Sequence, residues 1–367
     1  MGNLNLSQFQ KPLSELPVIE LAGTCREMGR QFGESCKDQC RELYQIRMND
    51  ALSHAALRGR QFTEQQALSL AGRSLSLIRE FDQDQHDETL GITEGAALSL
   101  EQIYILQGLT DFRDYLSWGK IPDGFGCTSV IVAQKRSQQN QLLLAQNWDL
   151  GTSNMPYVCF VKRKPVNAPQ TMSLTVTGGL CLVAMNSEGM SVGTTNIKTT
   201  DSRPGIHYLN IIHRVMKCHT VAEAQEVITS AVRSGAHYYM LGDKKGNYSG
   251  LECSALKHCE VKPVNNIVTH CNHILDSDLK SLEAENMGAS TKHRQNRVDQ
   301  ITAEGQFDVS KVKQVLADSK GGELAICRYD CDGYISTNGS VILSPESGEI
   351  FACRSQPDKG VWQKFTF

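Results

Sequence analysis

Nothing in this chain of 367 residues approaches the roughly 18 apolar residues in a row that a membrane span needs. An excess of one charge is missing too. The formal net charge is −3, which gives no electrostatic reason to expect nucleic acid or an anionic membrane as partner. No CxxC pair occurs, which argues against a zinc ribbon or a thioredoxin-like site, and no metal is expected. No internal repeat, low-complexity tract or clear linker divides the chain. The opening residues Met1-Gly2-Asn3-Leu4-Asn5-Leu6 lack the basic region and apolar core of a secretion signal. Leu6 also stands where a myristoylation motif needs Ser or Thr. A cytoplasmic protein is the expectation.

What is present is globular in composition, with 40% apolar and 21% charged residues in a chain long enough to bury a real core. Thirteen cysteines are many for this length, and the odd number points to free thiols rather than a disulfide framework. Cys36 and Cys40 continue a helical stripe with Met28, Phe32 and Leu43, where a thiol packs as a small hydrophobe.

The first third reads as helical after a short strand at 18–21. A long amphipathic helix is expected over 26–57. A capping box of Thr63 with Gln66 opens a second helix through 81, and Ser99 with Gln102 opens a third. Residues 117–126 lose the helical period and carry Gly and Pro, which reads as a loop. From Cys127 the period becomes that of a strand. Residues 128–133 and 142–146 form one hairpin around a polar turn, and 179–185 and 190–194 a second. Helices follow at 205–218 and, after a Thr220/Glu223 capping box, through 232. Strands are expected at 238–241, 248–253 and 267–269, helices at 291–303 and 309–318, and a strand series from 324 to 352. Strands grouped apart from helices argue for a layered α+β fold rather than βαβ alternation.

The Gly126-Cys127 bond sits where that loop meets an apolar strand. Scission there would give Cys127 a thiol and a free α-amine, a nucleophile with its own base. An ordinary Cys titrates at about 8.5 and an α-amine at about 7.7 to 8.0, so the amine can take the thiol proton near neutral pH. An antiparallel hairpin returns its far end to its start, which brings Asn147, Trp148 and Asp149 beside Cys127. Asp149 is then placed to orient the amine. Gly126 would let the backbone adopt a strained geometry that exposes its carbonyl to attack. Cys127 as one more buried thiol at a strand start is the plain alternative.

Several spread motifs carry a resemblance. Gly126-Cys127-Thr128-Ser129 with Gln146-Asn147-Trp148-Asp149 resembles the acyl-coenzyme A:isopenicillin N acyltransferase family of N-terminal-nucleophile (Ntn) hydrolases. Gly23-Thr24, Met28-Gly29, Phe32-Gly33 and the run from Gly91 to Ala96 resemble its N-terminal motifs. Asn186-Ser187-Glu188-Gly189-Met190, Thr269-His270-Cys271-Asn272-His273, His293-Arg294-Gln295-Asn296-Arg297 and Ile326-Cys327-Arg328 complete the series. Cys271 departs from the Thr expected before Asn272.

The resemblance implies a four-layer αββα Ntn-hydrolase sandwich. It also implies a precursor cut into an N-terminal helical α fragment (1–126) and a β fragment carrying the catalytic core (127–367), which stay associated. It implies Cys127 as nucleophile, Asp149 and Arg328 as orienting groups and Asn272 as oxyanion donor. Asn147, Trp148 and Asn196 are pocket candidates. The reaction so implied cleaves the amide of a small N-acylated amine through a Cys127 thioester. Water or an amine then takes the acyl group, hydrolysis being slightly favoured. No cofactor is required, although acyl-CoA is a conceivable acyl donor, and a homodimer is compatible with all of this. Each residue has a structural alternative: Asp149 as a strand cap, Asn272 as a turn residue, Arg328 as a salt-bridge partner of Asp149, Trp148 as packing. Two rival classes stay open, a papain-type Cys-His protease and an uncleaved, non-catalytic ligand-binding protein.

Overall fold

The computed structural model describes residues 15–117, 126–284, 288–329 and 335–367. The expected loop before Cys127 lies outside the described residues except at its two ends. In chain order the strands are β1 (Val18–Gly23), β2 (Gly126–Val132), β3 (Leu143–Gly151), β4 (Val158–Pro165), β5 (Thr171–Val176), β6 (Val183–Asn186) and β7 (Ser191–Ile197). They continue with β8 (Ala236–Gly242), β9 (Tyr248–Cys253), β10 (His258–Val261), β11 (Ile267–His270), β12 (Ile335–Ser344), β13 (Glu349–Arg354) and β14 (Gln363–Thr366).

Among the described residues these strands make two sheets. One has the order β1-β4-β5-β6-β7-β8-β9-β10 and the other β11-β2-β3-β12-β13-β14. The sheets pack face to face, and polar bonds cross between them. Gln146 on β3 donates to the Thr194 carbonyl (2.6 Å) and accepts from the Thr194 N–H (2.8 Å) on β7. Two helices, Ala289–Thr302 and Val309–Leu316, cover the outer face of the six-stranded sheet. Their Val298, Val312 and Leu316 close over Val130, Leu143 and Ile342. Helices Tyr208–Val215 and Val221–Ser230, with the N-terminal helices, cover the eight-stranded sheet. The expected four-layer αββα order is what the chain adopts. No helix among the described residues is long and apolar enough to cross a membrane.

Local signals explain most elements. The capping boxes of Thr63 with Gln66 and Ser99 with Gln102 are complete, whereas Thr220 caps its helix while the Glu223 carboxylate turns to the His219 N–H. The expected long helix is instead α1 (Cys25–Ser35) and α2 (Lys37–Ala56), broken at Cys36. Different partners cause the break. Helix α1 lies glycine to glycine on the helix Gln83–Ala96. A Cβ on Gly29 would sit 1.9 Å from the Glu88 carbonyl, and one on Gly91 2.2 Å from that of Arg26. Helix α2 turns away onto the helices at Leu100–Gln107 and Leu109–Ser117. The helix expected through 81 also divides, into Glu64–Gly72 and Leu75–Phe81.

The strand expected at 18–21 forms as β1, at the edge of the eight-stranded sheet and parallel to β4. One further expectation changes. The expected strand at 324–328 is absent. A 3-10 turn (Gly322–Leu324) leads into irregular chain whose backbone groups are satisfied off any ladder. The Ile326 carbonyl accepts from Asn147, the Cys327 N–H reaches Asp318, and the Arg328 carbonyl accepts from the Thr337 N–H.

Candidate active site

Strands β2 and β3 form the expected hairpin, in a register that sets Cys127 opposite Trp148 and Gly126 opposite Asp149. Residues opposite in a ladder share a face and neighbours in sequence do not. Cys127 and Trp148 therefore look toward the other sheet, and Asn147 looks toward the helices. There its amide donates to the Leu316 (2.8 Å) and Ile326 (3.0 Å) carbonyls, and its oxygen accepts from Ser340 (2.6 Å). Asn147 is a fully bonded link between layers, not part of the pocket expected for it.

A cleft of about 350 Å³, open solvent included, is lined by Gly126, Cys127, Trp148, Asp149, Asn196 and Asn272. Thr110, Leu150, Leu182, Thr194, Tyr208 and His237 complete its lining. The hairpin thus meets β7 and the segment after β11 around one thiol. The Cys127 N–H donates to Asn272 Oδ1 (2.8 Å), and Asn272 Nδ2 donates one hydrogen to the Asn196 carbonyl (2.8 Å). An amide nitrogen carries two hydrogens, so one remains on Asn272 Nδ2.

Arg294 was quoted in a sequence motif without a role. It is 1% exposed in the helix Ala289–Thr302 and is the main organiser of this corner. Its guanidinium donates to Asn272 Oδ1 (2.8 Å), Thr128 Oγ1 (3.2 Å) and the Cys127 carbonyl. It also gives a reason for Gly126 different from the expected one. The backbone at Gly126 is not in the left-handed region; instead, a Cβ there would lie 2.4 Å from Arg294 Nη2 and 3.1 Å from Asn272 Oδ1. Space, not strain, demands glycine. An arginine in a polar helix gave no sequence signal of burial.

Asp149 is 1% exposed. Its Oδ1 accepts from Thr337 (2.7 Å), and its Oδ2 has no hydrogen-bond partner among the described residues. Burial raises its pKa, opposed by the charges of Arg294 and Arg328 and by the Thr337 hydroxyl. Arg328 does not line the cleft. Its backbone N–H donates to Thr337 Oγ1 (2.9 Å), the hydroxyl that bonds Asp149, so it acts on the carboxylate by charge and through that threonine. Burial, and secondarily the Asp149 charge, push the Cys127 thiol up to about 12; the Asp149 N–H and Arg294 pull it down. In the continuous chain this thiol is a poor nucleophile at neutral pH.

Sequence reasoning also missed His237, which lines the same cleft. Its Nε2 lies 2.7 Å from Asp111 Oδ1 and its Nδ1 3.4 Å from Thr194 Oγ1, while Tyr208 stacks on its face at 4.2 Å. Both ring nitrogens thus face partners other than Cys127. Cys127 opens a strand rather than a helix. These two facts leave little to support a papain-type pair. Cys36 and Cys40, expected as core, are 0% exposed.

Comparison with known proteins bears on the chemistry. No curated protein matches the sequence. Among solved structures, an arginine-to-leucine variant of conjugated bile acid hydrolase from Clostridium perfringens is similar at 13% identity and a TM-score of 0.46, over 66% of this chain and 97% of that one. Penicillin V acylase from Agrobacterium tumefaciens is similar at 13% identity and a TM-score of 0.39, over 65% of this chain and 90% of that one. Neither likeness is close enough to carry an argument about this site. A family model described as acyl-coenzyme A:6-aminopenicillanic acid acyl-transferase matches residues 136–359. That span takes in Asp149, Asn196, Asn272, Arg294 and Arg328, but begins after Cys127. Covering well over half its length, the match shows that the chain belongs to the acyl-coenzyme A:6-aminopenicillanic acid acyl-transferase family.

Proposed function

We propose that this protein is a self-processing cysteine enzyme of the N-terminal-nucleophile type that cleaves the amide of a small N-acylated amine. The observation that carries the reading is Asp149 Oδ2, a buried acceptor without a partner among the described residues, beside a buried thiol whose own nitrogen donates to Asn272. An unpaired buried acceptor costs about 1–3 kcal/mol. An α-amine at Cys127 would carry hydrogens for both Asn272 and Asp149. It would also accept the thiol proton.

In the first step the Cys127 thiol attacks the Gly126 carbonyl, the peptide C–N bond gives way to a thioester, and the freed nitrogen takes a proton. Water then releases the Gly126 carboxylate and restores the thiol. Turnover repeats the chemistry on a substrate amide: the thiol forms a thioester with the acyl group, the amine departs with the proton relayed through the α-amine, and water or a second amine accepts the acyl group. The remaining hydrogen on Asn272 Nδ2 suits the oxyanion, where one such donor is worth roughly 10²- to 10³-fold in rate. Family membership supports an acyl-CoA as donor in a transfer variant of the same cycle. The rest of the cleft is apolar at Trp148, Leu150 and Leu182, which suits an acyl chain.

The test is mass analysis of the wild-type protein, which should yield fragments 1–126 and 127–367. Cys127→Ala should stay a single, inactive chain. Uncut but active wild type would favour a Cys-His mechanism; uncut and inert would favour a binding protein. Release of free acid against capture of the acyl group by added amine, with acyl-CoA supplied, separates hydrolysis from transfer.

A further inference from the structure

The Thr269-to-His273 motif contains a histidine that the reading above does not use. His270 ends β11 opposite Ser129, two residues from Asn272, and is 0% exposed. Its Nε2 lies 2.8 Å from Glu252 Oε1. Its Nδ1 lies 2.8 Å from Thr195 Oγ1 and 2.8 Å from the Cys271 carbonyl. Its ring stacks on Tyr238 at 4.1 Å, nearly parallel. Glu252 belongs to β9, in the opposite sheet, and does more than hold the ring. Its Oε1 also accepts the Leu275 N–H (2.7 Å), and its Oε2 accepts the Asp276 N–H (3.1 Å). Burial alone would raise the Glu252 carboxyl; the His270 ring and these two amides outweigh it and hold the group below the usual carboxylate range.

One carboxylate therefore grips the chain on both sides of Asn272, at His270 before it and at Leu275 and Asp276 after it. The ring it holds touches Thr195, whose neighbour Asn196 supplies the carbonyl that receives Asn272 Nδ2. Both ends of the Asn272 side-chain bond are tied to the same pair. Neither Glu252 nor His270 lines the cleft. Replacing both members of a buried hydrogen-bonded pair by apolar groups of the same shape can be nearly neutral for stability, so this one calls for a reason other than stability.

The geometry points to Glu252 and His270 as a positioning pair that fixes Asn272 against Cys127 across the two sheets. The inference rests on the proposed role of Asn272. The pair touches neither substrate nor thiol and acts only through that amide. A misplacement of about 1 Å at a reacting centre can cost on the order of 100-fold in rate.

A double-mutant cycle tests it, read on hydrolysis of N-acyl p-nitroanilides by the full-length protein. Glu252→Gln keeps the shape but replaces one acceptor oxygen with an NH2, so His270, Leu275 and Asp276 can no longer all be bonded. Its kcat should fall roughly 10- to 100-fold with KM within about threefold, while the rate of Cys127 alkylation by iodoacetamide stays within about threefold of wild type. Added to Asn272→Ala, the same change should cost nothing further. Should Glu252→Gln fail to fold, Thr195→Val breaks the other contact of the ring at nearly constant volume and should show a smaller fall in kcat with the same dependence on Asn272. Unchanged kcat in a folded variant, or losses that multiply with Asn272→Ala, overturns the inference while Cys127→Ala is inactive. Turnover that survives in Cys127→Ala sinks the underlying reading, and this inference with it.

Discussion

Two buried cysteines in this molecule invert the usual expectation. Cys181, 0% exposed, has Arg163 Nη1 at 3.8 Å, and the charges of Arg163 and His213 outweigh burial to hold its thiol below the ordinary value. Glu88 accepts from Arg163 (2.8 Å) and lies 3.4 Å from His213 Nε2, so cysteine, histidine and carboxylate all stand together. Cys127 has a thiol pushed up to about 12 and an anion for a neighbour. By electrostatics alone Cys181 is the better nucleophile; by access Cys127 is, since it lines the cleft. A low thiol pKa without a path for substrate is a structural polar cluster. On the proposed function, a high one in a cleft is a nucleophile that must be activated by something the continuous chain lacks. Scission at Gly126 would supply it.

The contrast can be broken at either end. Cys127→Ala should lower amide turnover at least about 10³-fold and abolish processing, with little change in thermal stability. Retained turnover would move the chemistry elsewhere. Gly126→Ala drives a methyl into the Arg294 guanidinium. It should slow processing roughly 10- to 100-fold and cost about 1–3 kcal/mol, read by fragment appearance and by urea unfolding. Wild-type behaviour would mean that Arg294 yields freely and does not organise the site.

Histidine 213 sharpens the other end. Burial disfavours its charged ring, but Glu88 and Cys181 outweigh that and hold its pKa up to about 9, against an ordinary 6.5. A raised folded-state pKa gives stability that is full below the unfolded value and is lost as pH climbs through the folded one. Unfolding free energy should therefore fall by on the order of 1–3 kcal/mol between pH 6 and 9.5, and His213→Gln should flatten that fall. An equal pH dependence in wild type and His213→Gln would show that the ring is neutral and the cluster weaker than drawn. The smallest effect belongs to Cys181→Ala: turnover within about twofold, stability lower by about 1–2 kcal/mol.

The same divide between access and pattern marks what the sequence disclosed. Period-two alternation and turn chemistry made the first hairpin readable, and its register followed, so Cys127, Trp148 and Asp149 were placed together before any coordinates. Parity along β3 was equally available and turns Asn147 away; it puts Asp149 on that same face, bonded to Thr337, although Asp149 also borders the cleft. The break at Cys36 and the irregular path through Arg328 were not readable, because each depends on partners distant in sequence: a glycine face on another helix, and the Asn147 and Thr337 side chains. Arg294 and Glu252 were invisible for the same reason. A charged residue in a polar helix, or one in a strand, gives no sign of burial until two sheets close over it. His270 did stand in a quoted motif, but its partner comes from the opposite sheet.

Everything turns on whether cutting the chain creates the reactive thiol. Freshly synthesised wild-type protein should be sampled over time for two quantities in the same aliquots, the fraction severed before Cys127 and the rate of amide turnover. The two should rise together from zero, in fixed proportion. Full turnover by a chain still continuous through Gly126 and Cys127 would contradict the account.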